Sequence, residues 1–97
     1  MAKRIVWSER AGNEKKEILQ YWYKRNGNKI YSNRLNQKFK STVKHISKHN
    51  YLGKATDIEN VRVTVCLHYL IIYEITSLTI EVLTIFDTRR DPNELKI

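Results

Sequence analysis

Cysteine, proline and glycine are close to missing from this chain. Cys66 and Pro92 each stand alone, and glycine occurs only at positions 12, 27 and 53. A single cysteine can form neither an internal disulfide nor a cysteine-based zinc site, which fits a reducing cytosol and predicts a cytoplasmic protein. Three scattered glycines leave no G-x-x-x-x-G-K loop and no dinucleotide fingerprint. Nucleotide-cofactor folds are thereby excluded, and no cofactor is expected. Long apolar runs are also lacking. The longest, Tyr69 to Tyr73, falls far short of the ~20 residues that cross a bilayer, so no membrane partner is expected. The stretch from Met1 to Trp7 turns polar at Ser8 without an apolar h-region, and no secretory signal is expected from it.

Acidic residues are scarce in one half only. Residues 1–54 hold fourteen Lys and Arg against Glu9, Glu14 and Glu17, a net +11. Residues 55–97 hold Arg62, Arg89, Arg90 and Lys96 against seven acids, a net −3. A field like that of the first half attracts phosphates or an acidic protein partner, although Lys-rich helix faces also serve solubility. With 97 residues, 41% of them hydrophobic, the chain suits one domain, 1–97, with one modest core.

Hydrophobic spacing changes period along the chain. Arg4-Ile5-Val6-Trp7 is a short β-prone run, after which Ser8 offers an N-cap hydroxyl and Glu9 a first-turn acid. Ala11, Lys15, Ile18, Leu19 and Trp22 then recur at helical spacing, and Asn26-Gly27 closes a helix over about 9–25. A second helix follows, with Tyr31, Leu35, Phe39, Thr42 or Val43, and Ile46 on one stripe and Arg34, Lys38, Lys40, Lys44 and Lys48 opposite. His49-Asn50 ends it, making an αα-hairpin. From Val61 to Ile75 the period is two, with a break expected near Leu67-His68. Thr76-Ser77-Leu78-Thr79 reads as a hairpin turn, and Ile80 to Asp87 as a strand that Pro92 cannot continue.

The expected architecture is α+β, in the order β-α-α-β-β-β. The helical hairpin should pack on one face of a small antiparallel sheet of three or four strands. Leu70 and Ile72 fall on the second face, joined by Leu83 and Ile85, which marks that face as a partner site unless twist and loops cover it.

Few residues suggest chemistry. His45 and His49 stand at i and i+4, but no acid follows at ligand spacing and Lys44 and Lys48 would repel a cation, so no metal site is expected. No nucleophile-elbow sequence frames a serine. The remaining candidates are basic residues on or beside the sheet: Lys54, Arg62, His68, Arg89 and Arg90. Arg89-Arg90 follows a strand directly, where two guanidiniums can fork onto phosphate or carboxylate, or pair with the flanking Asp87 and Asp91. His68, at a strand break, has the titration range of an acid or base near neutral pH, against the plainer reading of a half-buried ring.

Trp7-Ser8 opens the first helix and Tyr21-Trp22-Tyr23 closes it. Leu52-Gly53-Lys54 follows the second, and Val61-Arg62-Val63 and Tyr69-Leu70-Ile71-Ile72-Tyr73-Glu74 follow in turn. The last motif is Val82-Leu83-Thr84-Ile85-Phe86-Asp87-Thr88-Arg89-Arg90-Asp91-Pro92. In this order the chain resembles the RelE/ParE superfamily of bacterial type II toxins, over nearly its whole length. The Tyr-x-x-x-Tyr strand with a late Arg pair is the most specific part. The resemblance implies a growth-inhibiting toxin neutralised by a cognate antitoxin, with which it can form a hetero-oligomer. RelE-like members cleave mRNA on the ribosome with basic residues on the sheet, which here would be Arg62, His68, Arg89 and Arg90. ParE-like members, the plasmid-stabilisation branch, poison DNA gyrase by binding. Leu70 stands where the nucleases carry Arg after the first Tyr, and the C-terminal Tyr or His of many nucleases is absent. These departures count against nuclease activity, and the Arg90-Asp91 ending resembles the ParE-like branch more closely.

Three readings follow: a gyrase-binding toxin, a ribosome-dependent endoribonuclease, and a small basic nucleic-acid-binding module. Target or nucleic-acid contacts are expected from Lys54, Arg62, Arg89 and Arg90. Antitoxin contacts are expected from the apolar Leu70 and Ile72 and the basic Lys38, Lys44 and Lys48.

Overall fold

A computed structural model describes residues 2–97, so Met1 of the N-terminal stretch lies outside the described residues. Strand β1 (Arg4–Trp7) leads into helix α1 (Glu9–Asn26) and then α2 (Ile30–Lys48). Strands β2 (Lys54–Ala55), β3 (Val61–Cys66), β4 (Tyr69–Ile75) and β5 (Thr79–Asp87) follow, and a short 3-10 turn spans Pro92–Glu94. The α+β architecture is the expected one, and no described helix is long and apolar enough to cross a membrane.

Local chemistry sets the helix ends. The Ser8 hydroxyl accepts from the Ala11 N–H at 3.0 Å, capping α1, and donates to the Leu83 carbonyl at 2.8 Å, fastening the cap to β5. Gly27 closes α1 at φ 72°, a left-handed conformation that glycine adopts without a Cβ penalty.

The sheet has five strands in the order β1-β5-β4-β3-β2 and is mixed. Periodicity finds strands but not their neighbours. β1 pairs in parallel with β5, Ile5 opposite Ile80 and Trp7 opposite Val82, while the other pairs are antiparallel. The expected break falls at Leu67-His68, where Leu67 takes a positive φ of 57°.

The helical hairpin covers one face. Leu35, Phe39 and Val43 of α2 and Ala11 of α1 pack with Tyr69, Ile71, Val82 and Ile85. Ile85 therefore lies on the helix side rather than with Leu70 and Ile72. The reason is a bulge: Tyr73 pairs with Val82 and Ile72 with Thr84, so Leu83 is an extra residue that resets the alternation. The second face is covered in part. Ile72 is fully buried beside Val61 and Phe86, with Leu70, Leu83 and Leu95 of the tail packed around them. Ile72 is thus core rather than offered surface, and Leu70 is half-buried.

Candidate functional site

The two tyrosines of β4 organise the two ends of the sheet. Tyr73, fully buried, donates its hydroxyl to the Asn50 carbonyl at 2.8 Å and accepts the Gly53 N–H at 2.9 Å. A Cβ on Gly53 would lie 2.7 Å from that hydroxyl and 2.8 Å from the Val63 carbonyl oxygen, so the approach requires glycine. Arg62 closes the same corner. It donates to the carbonyls of Gly53 at 2.6 Å and Tyr51 at 3.4 Å and lies 4.9 Å from the Tyr51 ring centre.

Tyr69 serves the other end. Its hydroxyl accepts the Trp22 indole N–H at 2.9 Å, and Trp22 packs edge-on against Tyr21 and Tyr31. Burial raises the pKa of both Tyr69 and Tyr73, against the opposing hydrogen bonds from Trp22 and Gly53 respectively. Both therefore stay neutral phenols at physiological pH.

A groove of about 460 Å³ opens beside Tyr69. Glu14, Glu17, Ile18 and Tyr21 of α1 form one wall, and Ile85, Asp87, Arg89 and Arg90 form the other. The groove exists because β1 stops opposite Val82, leaving the rest of this β5 edge to α1. There the Glu14 carboxylate accepts the Thr84 hydroxyl at 2.6 Å and the Ile85 N–H at 3.2 Å, satisfying an otherwise open strand edge.

The arginines at the mouth are held individually. Arg89 forks onto Asp87 with Nε at 3.0 Å and Nη2 at 2.8 Å, and stacks 5.5 Å from the Trp22 ring centre. These charge-assisted bonds hold the Asp87 carboxyl below its ordinary pKa and push that of Arg89 up. Arg90 bonds Glu94 with Nε at 2.9 Å and Nη2 at 2.6 Å, and lies 5.3 Å from the Phe86 ring centre. Asp87 is the expected partner in a local ion cluster. Asp91 instead caps the 3-10 turn through the Asn93 N–H at 3.0 Å.

The basic candidates do not converge. His68 sits in the β3–β4 turn, exposed, and its carbonyl accepts the Thr88 N–H at 2.9 Å and hydroxyl at 2.8 Å, which places it near Arg89 and Arg90. Arg62 pairs across from Tyr73, whereas Asp87 pairs across from Tyr69. Four residues of strand, about 13 Å, separate those two levels. Lys54 lies on β2 beside Val63, at the Arg62 end. Lys38, Lys44 and Lys48 are exposed on α2, across the sheet from Leu70 and Ile72, so the antitoxin candidates form no single patch. The rings of His45 and His49 lie 4.9 Å apart, and no third His, Cys, Asp or Glu among the described residues joins them.

Trp22 and Glu14 escaped the sequence reading as site residues. A signal existed for Glu14, one of only three acids in the basic half. Nothing local marked Trp22 as the platform under an arginine 67 residues later in the chain.

The sequence and the fold are matched by known proteins. A family model described as the ParE toxin of type II toxin–antitoxin system, parDE, matches residues 5–92. Curated proteins give no sequence match. Among solved structures, a chain of the chromosomal ParDE TA system from P. aeruginosa superimposes with a TM-score of 0.75 at 14% identity, over 89% of this chain and 96% of that one. At that identity the likeness is one of fold.

Proposed function

Because the chain belongs to the ParE toxin family of type II toxin–antitoxin systems, we propose that it arrests bacterial growth by binding DNA gyrase and that a cognate antitoxin neutralises it. The observation that carries the binding reading is the division of the basic residues. Acid–base cleavage of RNA needs several polar groups on one phosphate and ribose. Here Arg62 is spent on main-chain carbonyls at one end of the sheet, while Arg89 and Arg90 stand at the other. Tyr21 and Tyr69 line the groove, and the two arginines at its mouth can exchange Asp87 and Glu94 for carboxylates of a protein surface, which supports recognition of a protein target.

The test is a supercoiling assay with purified gyrase, run beside primer extension on translated mRNA. Inhibited supercoiling with intact message is expected, and Arg89→Ala with Arg90→Ala should weaken it about tenfold or more. Codon-dependent cuts in message would replace this reading with the ribosome-dependent endoribonuclease. Expression alone should stop growth, and co-expression of the cognate antitoxin should restore it.

The open edge of β3 supports the antitoxin part of the proposal. Among the described residues β2 covers only Arg62 and Val63, leaving Thr64–Cys66 without a strand on that side. Val65 is 66% exposed there, with Leu52 and Leu67 exposed beside it. An extended segment added to this edge satisfies its backbone groups, buries Val65 and Leu52 and places acids near Lys38. Lys44 and Lys48 then speed association rather than hold the complex. Val65→Lys should raise the antitoxin Kd by about tenfold or more, read by isothermal titration.

A further inference from the structure

Helix α2 contains no acidic residue. Its outward side carries Arg34, Lys38, Ser41, His45 and Lys48, all exposed, at steps of four, three, four and three residues. That spacing sets them in one row along the helix. At 1.5 Å per residue the row is about 21 Å long. Lys44 flanks it. Among the described residues the ion pairs hold Arg10, Arg89 and Arg90, and none involves α2. Arg34 with Lys38, and Lys44 with Lys48, stand at i and i+4, where like charges work against a helix. The neighbouring helix gives no relief on its near side. Lys40 is close enough to Lys15 to add to the lowering of its pKa that burial begins.

We propose that this outward row of α2 is a sequence-independent binding surface for the phosphate backbone of duplex DNA. The intervening side chains fit that ligand. Gln37 and Ser41 are exposed polar groups of the kinds that bond phosphate and sugar oxygens. Along the full row an acidic peptide fits less well, and only the Lys38 end borders the β3 edge proposed for the antitoxin. A segment that orders on binding needs apolar anchors to offset its lost entropy. Apolar neighbours, Leu52 and Val65, border only the part of the row near Lys38 and His45. A duplex is already rigid and offers one charge per ~1.7 Å of its axis, so a straight row of cations can engage it without apolar contact. The surface is distinct from the groove beside Tyr69 and does not depend on gyrase being the target.

The test is fluorescence anisotropy of a labelled duplex of about 20 base pairs and arbitrary sequence, titrated with the full chain at several salt concentrations. The affinity should fall with salt at a log–log slope of about −3.6, roughly −0.9 for each of Arg34, Lys38, Lys44 and Lys48. Combining Arg34→Gln, Lys38→Gln and Lys48→Gln should flatten the slope by about 2.7. A control combining Arg4→Gln, Arg25→Gln and Lys96→Gln removes equal charge elsewhere and should leave the slope within about 0.5 of the parent. Matching circular dichroism melts establish that both triple variants are folded. Equal losses from both variants would overturn the proposal in favour of diffuse net charge. Polyglutamate binding as tightly as the duplex, through the same residues, would overturn it in favour of an acidic polypeptide. Absence of duplex binding at low salt would overturn it outright.

Discussion

Tyr73 and Tyr69 leave the same face of β4 four residues apart, and their surroundings differ in kind. Tyr73 is bonded only to main chain, at Asn50 and Gly53, in a corner that Arg62 also closes through main-chain carbonyls. Tyr69 is bonded to a side chain, Trp22, and stands against an open groove whose arginines are held by side-chain carboxylates. Main-chain partners cannot be exchanged without unfolding the loop that carries them. Side-chain partners can be, because a ligand carboxylate or phosphate offers Arg89 or Arg90 the same fork. One end of the sheet is thereby fixed structure, and the other holds its arginines through partners that can be exchanged. The most specific element of the family resemblance, Tyr-x-x-x-Tyr, has a conformational role: Tyr73 pins the loop after α2 to the sheet and Tyr69 pins α1.

That contrast is broken most severely at Gly53. Its Cβ position lies 2.7 Å from the Tyr73 hydroxyl and 2.8 Å from the Val63 carbonyl oxygen, and the second of these is backbone. Gly53→Ala should destabilise the fold by about 3 kcal/mol, measured by urea denaturation, because neither neighbour can yield without moving β3 or the core tyrosine. Tyr73→Phe comes next, at about 2 kcal/mol in the same measurement. It strands the Gly53 N–H and the Asn50 carbonyl in a buried corner. Tyr69→Phe should cost about 1 kcal/mol, since the Trp22 indole N–H it strands is only half-buried and can turn to water. A larger loss at Tyr69 than at Tyr73 would reverse the assignment of the two ends.

Local signals were the ones legible in the sequence. Ser8 and Gly27 mark the ends of α1 through chemistry within a turn of themselves. The Leu67-His68 break and the 76–79 turn likewise depend on neighbours in the chain. Lateral placement was not legible. Nothing in Arg4–Trp7 specifies pairing with β5 some 75 residues later, and parallel pairing leaves no turn to read. One bulge at Leu83 moved Ile85 to the opposite face, because strand periodicity has no memory past an inserted residue. The site suffered for the same reason. Arg62 and Arg89 read alike as cations on or beside the sheet, and only the folded register separates a residue bonded to carbonyls from one beside a groove. Ile72 looked available until Val61, Phe86 and Leu95 gathered around it.

The smallest effect is expected at Asp87, where it tests whether the mouth of the groove is held by charge. The Asp87 pKa is lowered in the fold, chiefly by the side-chain hydrogen bonds from Arg89. A lowered carboxyl pKa means that the unfolded chain binds the proton more readily near pH 4. The stabilisation is then complete above the unfolded value of about 3.9 and is lost as pH falls through the folded one. The pair is at the surface, with the Asp87 side chain 23% exposed and that of Arg89 50% exposed. Screening by water should therefore keep its worth to about 0.5 kcal/mol at neutral pH. Asp87→Asn should be less stable than the parent by that amount at pH 7, and the gap should close as the pH is lowered toward 2. It should also narrow in about 1 M salt, where the screening length is near 3 Å. The absence of a gap at any pH would mean that Asp87 acts through the hydrogen bond it accepts from the Arg89 N–H, at 2.9 Å, which an Asn oxygen can accept as well, rather than through charge. The arginine would then be freer to leave its carboxylate than the exchange account requires.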